Sequence, residues 1–171
     1  MVNFSSETNN DTVKIRSVVT AAFGRPNEAL LVETIRNSPN FIPELSIVAK
    51  ENENVLGHIL FSPITIEAQG QISRAIALAP LAVTPAHQHQ GIGTQLVHTG
   101  LSKCRQLNHS IVVVLGEPQY YRRFGFQTAS QFGVQAPFPV PDEAFMVLEL
   151  QPDALKNISG TVRYPTYFDE V

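Results

Sequence analysis

The sequence is poor in cysteine and in charged side chains, and it lacks long apolar runs. Cys104 is the only cysteine, which excludes an intrachain disulfide and a cysteine-rich zinc cage. Charged residues make up 16% of the chain, and 12 Lys+Arg against 15 Asp+Glu give a formal net charge of -3. That balance argues against a general nucleic-acid-binding surface. The longest apolar runs, 75–83 and 111–115, are too short to span a membrane.

Length and composition favour an ordinary globular protein. The first residues show no basic patch followed by an apolar stretch, so we expect no secretory signal. A chain of 171 residues with 43% hydrophobic residues suits one domain that buries a real core. We therefore expect a single cytoplasmic domain over residues 1–171, without nucleic-acid or membrane partners. Residues from Pro152 onward are expected to form a C-terminal tail.

Hydrophobic periodicity and turn residues predict an alternation of helices and strands. Helices are predicted from the Asn9–Asp11 cap to about Phe23, over 28–36 and over 91–107. Strands are predicted over 45–50, 55–66, 73–83, 111–115 and 145–150, with a short turn at 120–123. The run 111–115 is β-branched and unbroken, which is typical of a strand covered on both faces. Because a helix connects the strands 73–83 and 111–115, these two are expected to run parallel.

The most informative segment lies between the strand 73–83 and the helix that follows it. Gly91 and Gly93 allow close approach of the backbone to a ligand, and the first amides of a helix have no partner within it. With the helix dipole, such amides form a site for phosphate oxygens. The candidate residues are Gln88, His89, Gln90, Gly91, Ile92, Gly93 and Thr94. An isolated GxG pair is also compatible with a tight turn that only starts a helix.

Three phosphate-containing ligands compete for this loop. A nucleoside triphosphate is disfavoured because no lysine stands beside Gly93, as the P-loop pattern requires. A dinucleotide is disfavoured because Leu96 occupies the place of the third glycine, although Glu117 offers a carboxylate for a ribose. The pyrophosphate of coenzyme A is the third candidate.

Pro80 interrupts an otherwise regular strand just before this loop. Proline donates no hydrogen bond to a ladder, so pairing should break or bulge there. Leu81 and Val83 then offer backbone groups on a strand edge, and the two amides of a pantetheine arm could pair with that edge as another strand would. A bulge, the glycine loop (residues 88–94) and a helix start occur close together. This favours a ligand site over a proline that only occupies a strand edge.

These motifs together resemble the GCN5-related N-acetyltransferases (GNAT). The segment Gln88-His-Gln-Gly-Ile-Gly93 matches the family signature Q/R-x-x-G-x-G/A after a bulged strand. The segment Tyr121-Arg-Arg-Phe-Gly-Phe126 is similar to the family's Y-x-x-x-G-F element. The segments 57–62, 78–83, 114–121 and 145–146 resemble, more closely, the YhbS-like group of predicted acetyltransferases.

The resemblance implies an α/β (α+β) fold with a mixed, mostly antiparallel central sheet flanked by helices, in which the parallel strands 73–83 and 110–115 splay apart. It implies acetyl-CoA as cofactor, with the pyrophosphate on the amides of 88–94 and the pantetheine along Leu81, Ala82 and Val83. Tyr121 is implied as the general acid for the departing thiolate. Tyr120 is the alternative, and the Gly-Phe that follows favours Tyr121. The implied acceptor is an amine of a small molecule or peptide, and a homodimer is implied only at the level of the family.

The general base is less evident from the sequence. A free alkylamine has a pKa of about 10 and must lose its proton before it attacks a thioester. Glu117 is the first candidate because it follows the strand 111–115, which should end at the cleft. His58 is the second, since a histidine within an apolar strand is more often a hydrogen-bonded core residue. A chain of waters could replace both.

The remaining polar residues are assigned structural roles, and no metal site is expected. His87 and His89 have no further ligands near them in the sequence, and Cys104 lies on the apolar stripe of its helix. Arg122 and Arg123 are expected to solvate a turn. The predicted function is acetyl transfer to an amine. The alternatives are a non-catalytic acyl-CoA-binding or regulatory module that uses the same cleft, and a transferase of longer acyl chains.

Overall fold

The computed structural model describes residues 1–170, with side-chain placement up to Asp169. The regular elements, in chain order, are β1 (Asn3–Ser6), α1 (Thr12–Phe23), α2 (Asn27–Arg36), β2 (Ser46–Glu51), β3 (Asn54–Ala68), β4 (Gln71–Val83), α3 (Ile92–Gln106), β5 (Ile111–Leu115), α4 (Pro118–Arg122), β6 (Gln127–Thr128), β7 (Val134–Gln135), β8 (Phe145–Glu149) and β9 (Gly160–Arg163). Hydrogen-bonded strand neighbours follow the order β1-β2-β3-β4-β5-β8-β6, while β9 pairs with β3 and β7 pairs with β9.

The chain divides into two compact units, and the first holds residues 1–62, 78–103 and 166–170. In it, β1 pairs antiparallel with β2, and β2 with β3. Helices α1 and α2 bury their apolar faces against β2 and β3 in a cluster that includes Ile15, Val19, Val32, Ile35, Val48 and Leu60. Phe61 follows Leu60 on β3 and therefore faces the opposite side, where its ring lies against Gly100 of α3. Helices thus cover both faces of β3.

The second unit holds residues 63–77 and 104–165. Here β5 and β8 pair antiparallel from Ile111↔Glu149 to Leu115↔Phe145, and β6 extends β8 on its other side. The β4 residues Ile76 and Ala77 pair in parallel with Val112 and Val113 of β5. The buried run 111–114 confirms the strand expected to be covered on both faces.

The sheet is therefore mixed and mostly antiparallel, with helices packed against it, as predicted. Besides β4–β5, the short strands β7 and β9 also pair in parallel. Within residues 1–170, register partners between β4 and β5 end at Ala77 and Val113, although β4 continues to Val83. The two strands thus run parallel, as expected, and they pair over a short stretch only.

The C-terminal residues differ from the predicted tail. β9 pairs antiparallel with β3 through Thr65↔Arg163, and Val162 is fully buried. A short 3-10 helix, Thr166–Glu170, follows and packs against α2. The alternation of Thr161, Val162 and Arg163 is too brief to stand out as a strand in the sequence. Over the described residues, no helix is both long and apolar enough to cross a bilayer.

Candidate active site

The glycine loop is held in place by hydrogen bonds at its start. The amide of Thr84 donates to the carbonyl of Leu56 on β3 at 2.8 Å, and a single 3-10 turn, Pro85–His87, follows. The side chain of Gln88 reaches back, and its Nε2 donates to the carbonyl of Val83 at 3.0 Å. The loop is thereby fixed to the start of β3 and to the end of β4.

Two residues of the loop adopt left-handed backbone conformations. His89 has φ +64° and Gly91 has φ +87°. For a residue with a side chain this conformation costs about 1–2 kcal/mol, so Gly91 adopts it far more easily than another residue would. A Cβ added at Gly91 would meet no protein atom within 4 Å. Glycine is thus required at position 91 by backbone conformation rather than by crowding from the protein.

The amides at the start of α3 are the chemically distinctive feature of this unit. The amide of Gln95 makes the first bond of the helix, to the carbonyl of Gly91 at 3.1 Å. Across the described chain, the amides from Gln88 to Gly93 donate no backbone or side-chain hydrogen bond of normal geometry to the protein. Residues 88–91 are also exposed. A row of exposed amides at the positive end of a helix suits a ligand with anionic oxygens.

Gly57 of β3 supports this helix start, and the sequence analysis missed it. A Cβ at Gly57 would lie 2.9 Å from Cδ1 of Leu96, 3.0 Å from the carbonyl oxygen of Ala82 and 3.3 Å from Cγ2 of Ile92. The backbone of β3 therefore approaches both β4 and the first turns of α3 too closely for a side chain. The only signal in the sequence is a glycine inside an apolar strand, which often marks such an approach.

The end of β4 carries the three residues predicted to hold pantetheine. Leu81 and Val83 are half-buried, and Ala82 is buried against the cluster beneath α1 and α2. The Ala79–Pro80 peptide bond is cis. Leu81, Ala82 and Val83 thus belong to the same unit as residues 88–94 and precede the glycine loop directly. The carbonyl of Val83 already accepts one hydrogen bond, from Gln88, and a carbonyl oxygen has a second lone pair.

The second unit holds the two residues predicted to act in catalysis. Glu117 is exposed and caps α4, since its Oε1 accepts a hydrogen bond of 3.4 Å from the amide of Gln119. Tyr121 lies on α4 and is 9% exposed. Its ring packs edge-on against Tyr120, with centroids 5.0 Å apart, and against Phe126, with centroids 5.7 Å apart. Tyr120, the alternative acid, is more exposed and lies under the guanidinium of Arg123.

The phenol of Tyr121 would be protonated at neutral pH even at its ordinary pKa of 10, and burial reinforces that state. Burial raises the pKa of the phenol well above that ordinary value, and Tyr120 raises it further. The hydroxyl of Tyr121 therefore remains protonated and available as a hydrogen-bond donor throughout the neutral range. This is the state required of a general acid or of a donor to a departing anion.

His58, the second base candidate, belongs to a buried polar network in the first unit. Its Nε2 lies 2.8 Å from Oγ of Ser46, and Ser46 in turn donates to the carboxylate of Glu7. Arg36 binds the same carboxylate through two hydrogen bonds, of 2.6 and 3.1 Å. Because Ser46 uses its proton toward Glu7, Nε2 of His58 must carry the proton that Ser46 accepts.

The environment makes His58 a poor general base. Complete burial and, secondarily, the positive charge of Arg36 lower its pKa from 6.5 to about 3. An imidazole with that pKa has little tendency to take a proton from an amine. The histidine is instead a hydrogen-bonded core residue, as its position in an apolar strand suggested.

Burial raises the pKa of the Cys104 thiol to about 12, which makes that thiol unreactive at neutral pH.

Comparison with known proteins identifies the family. The sequence profile described as "Acetyltransferase (GNAT) domain" matches residues 4–129. The chain therefore belongs to the GNAT acetyltransferases. It is 34% identical over 160 residues to the uncharacterized N-acetyltransferase YhbS of Escherichia coli, a match that covers 93% of each chain. It is 39% identical over 134 residues to the E. coli protein YjhQ, also named an uncharacterized N-acetyltransferase, and this match covers 78% of this chain and 74% of YjhQ.

Two solved structures extend the comparison to ligands. The structure of E. coli YhbS in complex with CoA has a TM-score of 0.91 at 32% identity, with coverage of 98% of this chain and 92% of the other. A GNAT family acetyltransferase from Brucella melitensis in complex with acetyl-CoA has a TM-score of 0.81 at 33% identity, with coverage of 99% of both chains. These neighbours confirm the fold that the resemblance implied.

Proposed function

We propose that this protein is an acetyl-CoA-dependent N-acetyltransferase that transfers an acetyl group directly to a primary amine of a small molecule or protein. The observation that carries the proposal is the run of amides from Gln88 to Gly93, which donate no hydrogen bond of normal geometry to the protein within residues 1–170. Residues 88–91 of this run are exposed. Two relatives above 30% identity contain CoA or acetyl-CoA. The pyrophosphate of CoA supplies anionic oxygens that can accept hydrogen bonds from such amides.

The residues present fit this cofactor by their chemistry. The left-handed φ of Gly91 and the open space beside it leave the helix start accessible to a bulky anion. No lysine is needed, because the amides and the helix dipole supply the positive potential. We assign the pantetheine arm to the backbone of Leu81, Ala82 and Val83. The amide of Leu81 is the proposed donor to the thioester carbonyl.

Acetyl-CoA supplies the acetyl group as a thioester, and the reaction yields an N-acetyl amide and free CoA. Tyr121 is the proposed donor of a proton to the departing sulfur, a group with an ordinary pKa near 8.5. The tyrosine is the weaker acid of the two in water. Apolar surroundings raise the pKa of a thiol in the same direction as that of a phenol, which makes a departing thiolate a better proton acceptor than it is in water.

Glu117 is the proposed acceptor of the amine proton. Its carboxylate is exposed and, within the part of the chain that the structure describes, accepts one long hydrogen bond, from the amide of Gln119. The remaining lone pairs are available to water or to an ammonium group. We propose that the amine enters protonated and loses its proton on binding. The proton passes to the carboxylate through water.

The test combines binding with turnover. Calorimetry with acetyl-CoA should give a binding signal, and an acetyl-CoA-fuelled screen of amines, amino acids, polyamines and peptides should identify an acceptor. Tyr121→Phe should lower kcat by about 100-fold, within the range known for general acids, with the Kd of acetyl-CoA little changed.

Tyr120→Phe is the matched control, because it removes the same hydroxyl from the neighbouring position, and its kcat should stay near that of the wild type. Absence of binding at millimolar acetyl-CoA would refute the proposal. Binding without transfer to any amine of the panel would instead favour the non-catalytic acyl-CoA-binding or regulatory module.

A further inference from the structure

Gly116 connects β5 to α4 and lies directly against the ring of Tyr121. A Cβ added to Gly116 would be 2.5 Å from Cε2, 3.1 Å from Cδ2 and 3.6 Å from Cζ of that ring. Gly116 does not adopt a left-handed φ, so an alanine would fit its backbone conformation. Glycine is therefore needed at position 116 because a side chain there would occupy the space of the tyrosine ring.

The backbone on both sides of this contact is fixed. The amide of Gly116 donates to the carbonyl of Ala144 at 2.9 Å, and the amide of Tyr121 donates to the carbonyl of Glu117 at 3.1 Å. Leu115, which precedes Gly116, is paired with Phe145 on β8. The strand end and the first turn of α4 are thus both held by main-chain bonds. Because these bonds hold the backbone at position 116, it cannot shift to make room for the methyl group of an alanine.

The other sides of the ring are occupied as well. Tyr120 meets the ring edge-on at a centroid distance of 5.0 Å and an interplanar angle of 90°. Phe126 meets it at 5.7 Å and 79°, and the Phe124 ring lies 6.4 Å away. Since ordinary contacts of a Cβ begin at about 3.4 Å, the methyl group must displace the ring by roughly 1 Å. The hydroxyl at the end of the ring moves with it.

We propose that Gly116 is a positioning residue for catalysis. By having no side chain, it lets the Tyr121 ring lie against the strand end and so sets where the Tyr121 hydroxyl is presented. This inference rests on the proposed function, in which that hydroxyl is the general acid. A misplacement of about 1 Å in a catalytic group lowers rates by up to about 100-fold. Gly116→Ala should therefore lower kcat by about 10- to 100-fold, with the KM for acetyl-CoA changed less than threefold.

A double-mutant cycle in turnover tests the proposal. If Gly116 acts through the Tyr121 hydroxyl, Gly116→Ala should lower kcat strongly in the wild type but less than twofold in the Tyr121→Phe background. An equal loss in both backgrounds would show a general structural defect and would overturn the positioning role. Gly100→Ala is the matched control, since its methyl group would overlap the buried Phe61 ring in the other unit. It should lower the melting temperature without the same loss in kcat.

A second cycle, in stability, needs no activity and covers the case in which Gly116→Ala folds poorly. In the Tyr121→Leu background the ring is absent, so Gly116→Ala should there shift the melting temperature by less than about a third of its shift in the wild type. Equal shifts would overturn the contact itself. Full turnover in Tyr121→Phe would refute the acid assignment of the proposed function, and the positioning role would fall with it. Loss in Tyr121→Phe with full turnover in Gly116→Ala would refute only the role of Gly116.

Discussion

Stability should fall as the pH drops below 6.5, because His58 is buried in its neutral form. In the unfolded chain the imidazole takes up a proton below its ordinary pKa of 6.5, whereas in the folded protein its pKa is about 3. The groups that face it are Ser46, the carboxylate of Glu7 and, behind that carboxylate, Arg36. Glu7 is already neutralised by Arg36, so little negative charge is left to stabilise an imidazolium.

The size of the effect follows from proton linkage. Above pH 6.5 the imidazole is neutral in both states, and the favourable contribution is complete. Between pH 6.5 and about 3 only the unfolded state binds the proton, so the free energy of unfolding declines by about 1.4 kcal/mol per pH unit at the steepest. From pH 7 to pH 5 the loss attributable to His58 is about 2 kcal/mol.

Urea denaturation at several values from pH 5 to 7 measures this loss. The comparison variant is His58→Gln, whose amide can still donate to Ser46 but does not titrate. The difference between the two proteins removes contributions that they share, such as that of His109, whose pKa burial also lowers. The wild type should lose about 2 kcal/mol more than the variant over this range. Parallel pH profiles would refute the conclusion that His58 is buried neutral.

Two further predictions concern the first unit. Gly57→Ala should force apart β3, the carbonyl of Ala82 and Leu96, and should weaken acetyl-CoA binding about tenfold in calorimetry, because overpacking costs about 1–3 kcal/mol and acts at the start of α3. Unchanged affinity would show that this contact does not support the loop. Arg36→Met should lower the free energy of unfolding by about 3 kcal/mol in urea at pH 7, since Glu7 would keep a buried charge without its partner. A loss below about 1 kcal/mol would indicate that the pair is solvated.

Local patterns were sufficient to predict the elements around the proposed cofactor site. The β-branched run at 111–115, the glycine loop and the apolar spacing of α3 each depend on neighbouring residues only, and the parallel β4–β5 pair follows from the helix that connects the strands. The amides from Gln88 to Gly93 could be proposed from sequence because a helix start leaves its first donors unpaired wherever it occurs.

Long-range contacts were not predictable in the same way. Glu7 meets Arg36 and Ser46 across separations of 29 and 39 residues, and no local pattern indicates that a serine, a histidine and an ion pair will share one buried site. The role of Gly116 was not predictable either, since the need for space beside Tyr121 depends on how α4 turns back. The strand β9 was missed because its register is set by a distant partner, β3.

The return of the C-terminal residues to both units has a consequence for synthesis. Val162 completes the core of one unit, and Tyr167 and Phe168 cover the cluster beneath α1 and α2 in the other. A chain still emerging from the ribosome therefore exposes apolar surface of both units until about residue 168 has cleared the exit tunnel. The late-made segment closes two cores at once, so nascent chains that stall before it should be recognised by chaperones or proteases as unfinished.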